Sequence, residues 1–322
     1  MKTPKETEFI ENIKNKYCLN DRKDNFFGIG DDCAYIKENN MVVTCDMLIE
    51  TVHFDFSFIS PYVLGQKSAL VNISDVVSMS GRPKFAFVSI GYNNQSLKFL
   101  DKLYEGMHCE FERAGALILG GDTVRSDNLV INVTLLGETD SPIFRHGAKV
   151  GDYIIVSNYC GLSHAGFDIL SKYKTDYPCE YKSLVMAHLC PKVSVGLGTA
   201  LGKSGLVHSM MDISDGISKD LKTLCKASGV GASLKLDDFC VSPDLEKYCE
   251  SEKKDIYNYL LSNFEDYSLL MTCEEESAKE VMDIISSFGF VPSCIGKITE
   301  DNNIKVTLKG KDFEMPKTWE HF

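Results

Sequence analysis

Two apolar periods alternate along this chain, and the alternation recurs in both halves. It limits the fold more than any other feature of the sequence. Leu97, Leu100, Leu103, Met107, Phe111 and Ala114 recur at helical spacing with charged residues between them. The apolar run Ala116–Leu119 follows directly and closes on Gly120-Gly121-Asp122, which reads as a helix feeding a short buried strand that ends in a tight turn. Val63, Leu64, Leu70, Ile73, Val76 and Val77 predict another helix between Pro61 and Ser80. Lys84–Gly91 and Leu129–Gly137, rich in β-branched and aromatic residues, predict strands. After the Pro- and Gly-containing stretch Ser141–Asp152 the mixture returns. Strand Tyr153–Ser157, helix Gly216–Ser228, strand Ala232–Leu236 and helix Glu276–Phe288 are expected, the last closed by Gly289. Strands and helices mixed in both halves predict an α/β (mixed α+β) protein of two domains, 1–144 and 145–322. A chain of 322 residues is long for one core and comfortable for two.

A net charge of -12 argues against general nucleic-acid binding, because phosphate backbones attract basic surfaces. It suits a protein that uses carboxylates to hold metal ions. The amino-terminal MKTPKETEFIENIKNKY is charged throughout, and no stretch approaches the ~20 apolar residues of a membrane span, so a cytoplasmic location is expected, with no membrane partner. The 12 cysteines are scattered and form no CxxC pair, which favours free thiols over zinc ligands or a disulfide framework.

The chemistry is written in aspartates placed at turns: Gly30-Asp31-Asp32, Thr44-Cys45-Asp46, Asn72-Ile73-Ser74-Asp75, Gly121-Asp122 and Asp212-Ile213-Ser214-Asp215-Gly216. Any one of them reads equally well as a turn residue or helix cap, and Asp212 and Asp215 look like a cap pair before a helix. Together they suit hard cations, which want oxygen ligands, and a cluster of like charges is costly unless cations neutralise it. A Walker loop is absent. Gly202-Lys203-Ser204 would need a glycine where Leu197 stands, so Gly196–Ser204 is better read as a glycine-punctuated helix end.

These residues carry a resemblance. Gly28–Ala34, Thr44–Asp46 with Val52-His53-Phe54, Leu70–Asp75 with Met79, and Gly120–Thr123 resemble the thiamine-monophosphate kinases. So do Arg145–Asp152, Asp212–Gly216, Glu265-Asp266-Tyr267 and Trp319–Phe322, all in family order. The family belongs to the superfamily of aminoimidazole ribonucleotide synthetase. The resemblance implies an N-terminal α/β domain whose strands close a β-barrel with those of a second subunit in a homodimer. It also implies a C-terminal α/β domain, with ATP in the cleft between the two.

By the same resemblance, Asp32, Asp46, Asp75, Asp122, Asp212 and Asp215 would hold several Mg²⁺ ions. Thr44 would add its hydroxyl and Cys45 its backbone carbonyl. Tyr104, Gly121, Asp122, Arg145 and Ser214 would meet ATP, while His53, Glu265 and Trp319 would face thiamine monophosphate. No catalytic nucleophile is assigned. The implied reaction is in-line transfer of the γ-phosphoryl group of ATP to the phosphate of thiamine monophosphate. Relatives that form selenophosphate or mature hydrogenases would carry a reactive Cys that is missing here, and an idle nucleotide-binding subunit would not need so many carboxylates. The chain departs from the family pattern at Asn263-Phe264, where two glycines are usual, at Thr51 and at Cys45.

Overall fold

The computed structural model describes residues 5–17, 25–261 and 264–315. Helix α1 (Glu6–Tyr17) precedes the first sheet, whose strands are β1 (Phe26–Phe27), β2 (Ala34–Ile36), β3 (Met41–Ile49), β4 (Arg82–Tyr92), β5 (Leu117–Gly120), β6 (Thr123–Arg125) and β7 (Val130–Glu138). Helices α2 (Pro61–Ser78) and α3 (Leu97–Ala114) cover one face of it. Each starts where a serine hydroxyl satisfies an orphan backbone N–H. Ser60 accepts from Val63, with Pro61 in the first turn, and Ser96 accepts from Phe99. Gly115, left-handed at φ 81°, ends α3 as a C-cap. The two helices touch backbone to backbone, since a Cβ at either Gly65 or Gly106 would lie 2.0 Å from a carbonyl oxygen of the other helix.

The sheet runs β1-β2-β3-β7-β4-β5, with β6 also pairing β4. Neighbours are antiparallel except that β5 and β6 lie parallel to β4, along successive parts of it. Alternation on β4 turns Ala86, Val88 and Ile90 towards the helices and leaves Phe85 and Phe87 exposed on the other face.

The expected closure of these strands into a barrel is overturned. The sheet is open, with β1 at one edge and β5 and β6 at the other, and no described strand joins them. Closure would need hydrogen bonds between β1 and the β5–β6 edge, and the pairings of the sheet stop at those two edges. The chain breaks at Gly121 (φ 152°), where a Cβ would lie 1.7 Å from the Val88 carbonyl oxygen, so the edge strand is split into two short pieces. The two-domain α/β architecture itself stands.

The second sheet is made of β8 (Tyr153–Val156), β9 (Val207–Asp212), β10 (Gly231–Lys235), β11 (Leu269–Cys273), β12 (Ser293–Thr299), β13 (Ile304–Leu308) and β14 (Lys311–Asp312). Its order is β14-β13-β10-β12-β8-β11-β9, antiparallel except for the β10–β13 pair. The helices of this half are α4 (Leu162–Tyr173), α5 (Lys182–Leu189), α6 (Val195–Ser204), α7 (Ile217–Ser228), α8 (Pro243–Glu252), α9 (Ile256–Leu260) and α10 (Ala278–Ser287). The glycine-rich stretch around Leu197 is therefore the helix α6, ended by left-handed Gly205.

Helix α2 belongs to both halves. It packs on α3, β3, β4 and β7 of its own sheet and also on α5, α6 and β9. It is buried almost all round, including the polar residues Lys67, Ser68, Asn72, Ser74 and Ser78. Among the described residues no helix is long and apolar enough to cross a membrane.

Candidate active site

Positions 67, 74, 75 and 78 fall on one face of α2, with Asn72 beside them, and this face collects the acids. The Asn72 side-chain oxygen accepts the Asp46 backbone N–H at 3.2 Å. Ser74 donates to Asp212 Oδ2 at 2.5 Å, Asp75 Oδ2 accepts the Thr44 hydroxyl at 2.5 Å, and Ser78 donates to Asp32 Oδ2 at 2.6 Å. One helix thus gathers Asp32 from the loop after β1, Asp46 from β3 and Asp212 from the end of β9 around its own Asp75. Sequence spacing gave no roles to Asn72, Ser74 and Ser78. Their signal was the polar stripe at helical spacing within an otherwise apolar helix.

Crowding of these carboxylates shows in their protonation. Burial, then the charges of Asp46, Asp212 and Asp32, push Asp75 well above the usual carboxylate range. Burial and Asp32 do the same to Asp212, against the opposing hydrogen bond from Ser74. Asp46 is raised to about 6 by burial and by Asp32, Glu265 and Asp215. The thiol of Cys33 is driven up by burial and by Asp75, Asp32, Asp31 and Asp212.

Arg145 is the cation that meets this cluster. Its side chain is 17% exposed, pairs through Nη2 with Asp32 and stands 3.5 Å through Nε from Asp31 Oδ1. Its backbone N–H donates to Asp31 Oδ2 at 3.0 Å. Asp31 is nevertheless raised to about 7, because burial and the neighbouring Asp32 outweigh the guanidinium. The Nε of Arg145 is buried with no hydrogen-bond partner, so the guanidinium has a donor to spare.

Asp215 sits in the turn before α7 and pairs with Lys219 at 2.7 Å. Neither it nor Asp212 caps that helix, whose N-cap is Gly216 with no side-chain bond. Asp215 N–H donates instead to buried Asp220 at 3.0 Å. Ser214 is exposed in the same turn. The strand alternation turns the Cys45 side chain to the opposite face from Thr44 and Asp46, where it meets Asn132. Asp122 lies exposed at the break after Gly121, accepting the Thr123 N–H at 2.8 Å, and is not among the charges that chiefly raise the buried aspartates. Tyr104 is half-buried in the middle of α3, and burial raises its phenol. His53 follows β3 and accepts the Ile49 N–H at Nδ1 at 3.0 Å, which leaves Nε2 to carry the proton in the neutral ring. Glu265, 23% exposed, pairs with Lys67 of α2. In place of the usual glycine, the Phe264 ring stacks on His164 at 4.2 Å. Trp319 lies outside the described residues.

Among the described residues no three His, Cys, Asp or Glu side chains stand ready to hold a metal ion. The donor chemistry still fits a hard cation. Asp32, Asp46, Asp75 and Asp212 present oxygen ligands whose mutual repulsion a divalent ion would relieve.

Two domain families match this architecture: the N-terminal domain of AIR synthase related proteins over residues 30–139 and the C-terminal domain over 149–309. Fold and site together define an AIR synthase-related protein. A thiamine-monophosphate kinase of Aquifex aeolicus is 33% identical over 299 residues, covering 91% of this chain and 92% of its own. The solved structure of AaThiL complexed with AMPPCP and TMP superposes with a TM-score of 0.87 at 30% identity, covering 99% of this chain and 97% of that one. A crystal structure of the Aquifex aeolicus thiamine-monophosphate kinase gives a TM-score of 0.83 at 28% identity, with 96% and 97% covered. The chain belongs to the thiamine-monophosphate kinase family.

Proposed function

We propose that this chain transfers the γ-phosphoryl group of ATP to the phosphate of thiamine monophosphate, giving thiamine diphosphate and ADP. The observation that carries the reading is the convergence of Asp32, Asp46, Asp75 and Asp212 on one face of α2 beside Arg145, in a chain of this family.

Two anions must approach each other in this reaction, so alignment and charge neutralisation matter more than a base. The attacking phosphate monoester is already largely ionised near neutrality, and no side-chain nucleophile is invoked. Asp32, Asp46, Asp75, Asp122, Asp212 and Asp215 are the residues that would hold Mg²⁺, with the Thr44 hydroxyl and the Cys45 carbonyl. When bound, Mg²⁺ offsets the negative charge of the phosphates and of the aspartates together. Arg145 presents a planar donor fork to a phosphate. Gly121 leaves bare backbone at the exposed turn, and Ser214 and Tyr104 complete the ATP side. His53, Glu265 and Trp319 face the thiamine portion. The Ile49 N–H on Nδ1 fixes the orientation of the His53 ring there. Residues 1–144 and 145–322 form the two walls of the cleft.

The protein is a homodimer in this reading. Met47, Phe85, Phe87, Leu117, Leu119 and Val124 are exposed on the strands of the first sheet, a surface that a second copy would cover.

The test is direct: purified protein with ATP, Mg²⁺ and thiamine monophosphate, with the thiamine products separated by chromatography. Thiamine diphosphate is expected from the monophosphate and none from free thiamine. Equal phosphorylation of free thiamine would overturn the assignment of a phosphate as acceptor.

A further inference from the structure

Glu265 is gripped by groups to which sequence spacing gave no role. Lys67, in the second turn of α2 at 1% exposure, crosses from the N-terminal half and pairs its Nζ with Glu265 Oε1. The same ammonium donates to the carbonyl oxygen of His188 at 3.2 Å. The hydroxyl of Tyr267 donates to the other carboxylate oxygen, Oε2, at 3.1 Å. His188 Nδ1 stands 3.9 Å from Oε1 and shares a 2.9 Å hydrogen bond with Ser163 Oγ. The charge of Glu265 contributes to raising Asp46 and Asp266.

A lysine this deeply buried is costly unless it is paired and hydrogen-bonded, and the replacement of such a pair by apolar residues is often neutral for stability. Fold stability alone therefore gives a weak reason for a lysine here. Geometry supplies a better one. Each oxygen of Glu265 has its own donor, one from α2 and one from Tyr267, so the plane of the carboxylate is set by two points. Its 23% exposure leaves the remaining lone pairs for a ligand. Without the ammonium, one of the two points that fix that carboxylate would be lost. Lys67 also shares a helix face with Ser74, Asp75 and Ser78, so the group that aims Glu265 rides on the element that gathers the aspartates.

We propose that Lys67, helped by Tyr267, is a positioning residue for the acceptor substrate: it holds the Glu265 carboxylate in the orientation that meets the cationic, amino-bearing heteroaromatic part of that substrate. The inference rests on the assignment of thiamine monophosphate as acceptor and of Glu265 as one of its contacts. It adds what sets the contact and ties it to α2.

The experiment compares kcat and the KM of each substrate in the wild type and in the Lys67→Met, Lys67→Arg, Glu265→Gln, Tyr267→Phe and Lys67→Met/Glu265→Gln variants. Calorimetric binding of thiamine monophosphate and melting temperatures are measured beside them. Lys67→Met should raise the KM for thiamine monophosphate by about ten- to a hundred-fold, the worth of a charge-assisted hydrogen bond, with the KM for ATP changed by less than about two-fold. Lys67→Arg should recover most of that loss. The double variant should be no worse than Glu265→Gln alone, because the two residues act as a unit. Tyr267→Phe should show a smaller effect of the same kind. If Lys67→Met fails to fold, the double variant and Tyr267→Phe, which leave no lone charge in the interior, carry the comparison. An unchanged KM for thiamine monophosphate overturns the proposal. So do additive losses in the double variant, or KM values for both substrates that rise together with a lowered melting temperature and no rescue by arginine. A wild type that neither binds nor converts thiamine monophosphate marks instead the failure of the substrate assignment, and this proposal falls with it.

Discussion

Ser74 of α2 donates its hydroxyl to Asp212 of β9 at 2.5 Å, while the next residue, Asp75, takes the Thr44 hydroxyl of β3 at the same distance. Adjacent positions of one buried helix therefore serve the two sheets, and the acids meet where the halves meet. Ser74→Ala would leave Asp212 without the hydrogen bond that opposes its raised pKa. The loss should be about 1–3 kcal/mol of stability, measured by urea denaturation of the ligand-free protein. An unaltered midpoint would show that the contact holds nothing together.

Asp46→Asn and Asp75→Asn keep the shape of the side chain and remove a charge. Turnover at limiting Mg²⁺ should fall by a factor of about a hundred or more, since metal stabilisation is worth several kcal/mol. Stability of the metal-free protein should hold or rise, because each change removes repulsion within the cluster. A coupled assay for ADP release and a thermal melt separate the two effects. Near-normal turnover in both variants would leave these aspartates as structural residues.

Asp266 offers a pH test outside that cluster. It accepts the backbone N–H groups of Gly161 and Ser163, yet burial raises it from 3.8 to about 6. The fold thus favours its neutral form. That contribution is fully present below pH 3.8 and is lost as the pH rises through about 6. Asp266→Asn has no such dependence, so its stability relative to the wild type should climb between pH 4.5 and 7.5. Denaturation curves at the two pH values would reveal it, and a constant difference would contradict it.

The exposed apolar residues of the first sheet supply a test of assembly. Phe87→Lys together with Leu119→Lys should convert a dimer to a monomer in sedimentation at micromolar concentration, with the fold intact by circular dichroism. An unchanged sedimentation coefficient would locate any self-association elsewhere.

Much of the local structure can be read along the chain, because a helix or strand is set by side chains a few positions apart. The apolar spacing from Leu97 to Ala114 marks α3 from end to end. The run after it is β5, though as an exposed edge strand and not the buried one expected, and the β-branched and aromatic run Lys84–Gly91 falls in β4. The aspartates of the site are visible too, since short carboxylates beside glycine and hydroxyl residues stand out. Whether an acid joins the buried cluster is less visible. Asp75 and Asp122 look alike in sequence, yet one is enclosed and the other faces solvent beyond the break at Gly121.

By itself the sequence determined the mixed α/β class, elements such as α2, α3, β4 and β7, and the set of aspartates, all of which follow from periods and neighbours within a few residues. It placed Asp46 and Asp75 at turns, whereas they lie inside β3 and α2. Tertiary structure alone decided the partnerships. Lys67 and Glu265 lie 198 positions apart, and Ser74 and Asp212 lie 138 apart. No period links such residues, because their meeting depends on where α2 is docked between the two sheets. The openness of the first sheet is decided in the same way. A strand's pattern tells which face is apolar, but the edge it ends on is set by hydrogen bonds to other strands, and here those bonds stop at β1 and at the divided β5–β6 edge.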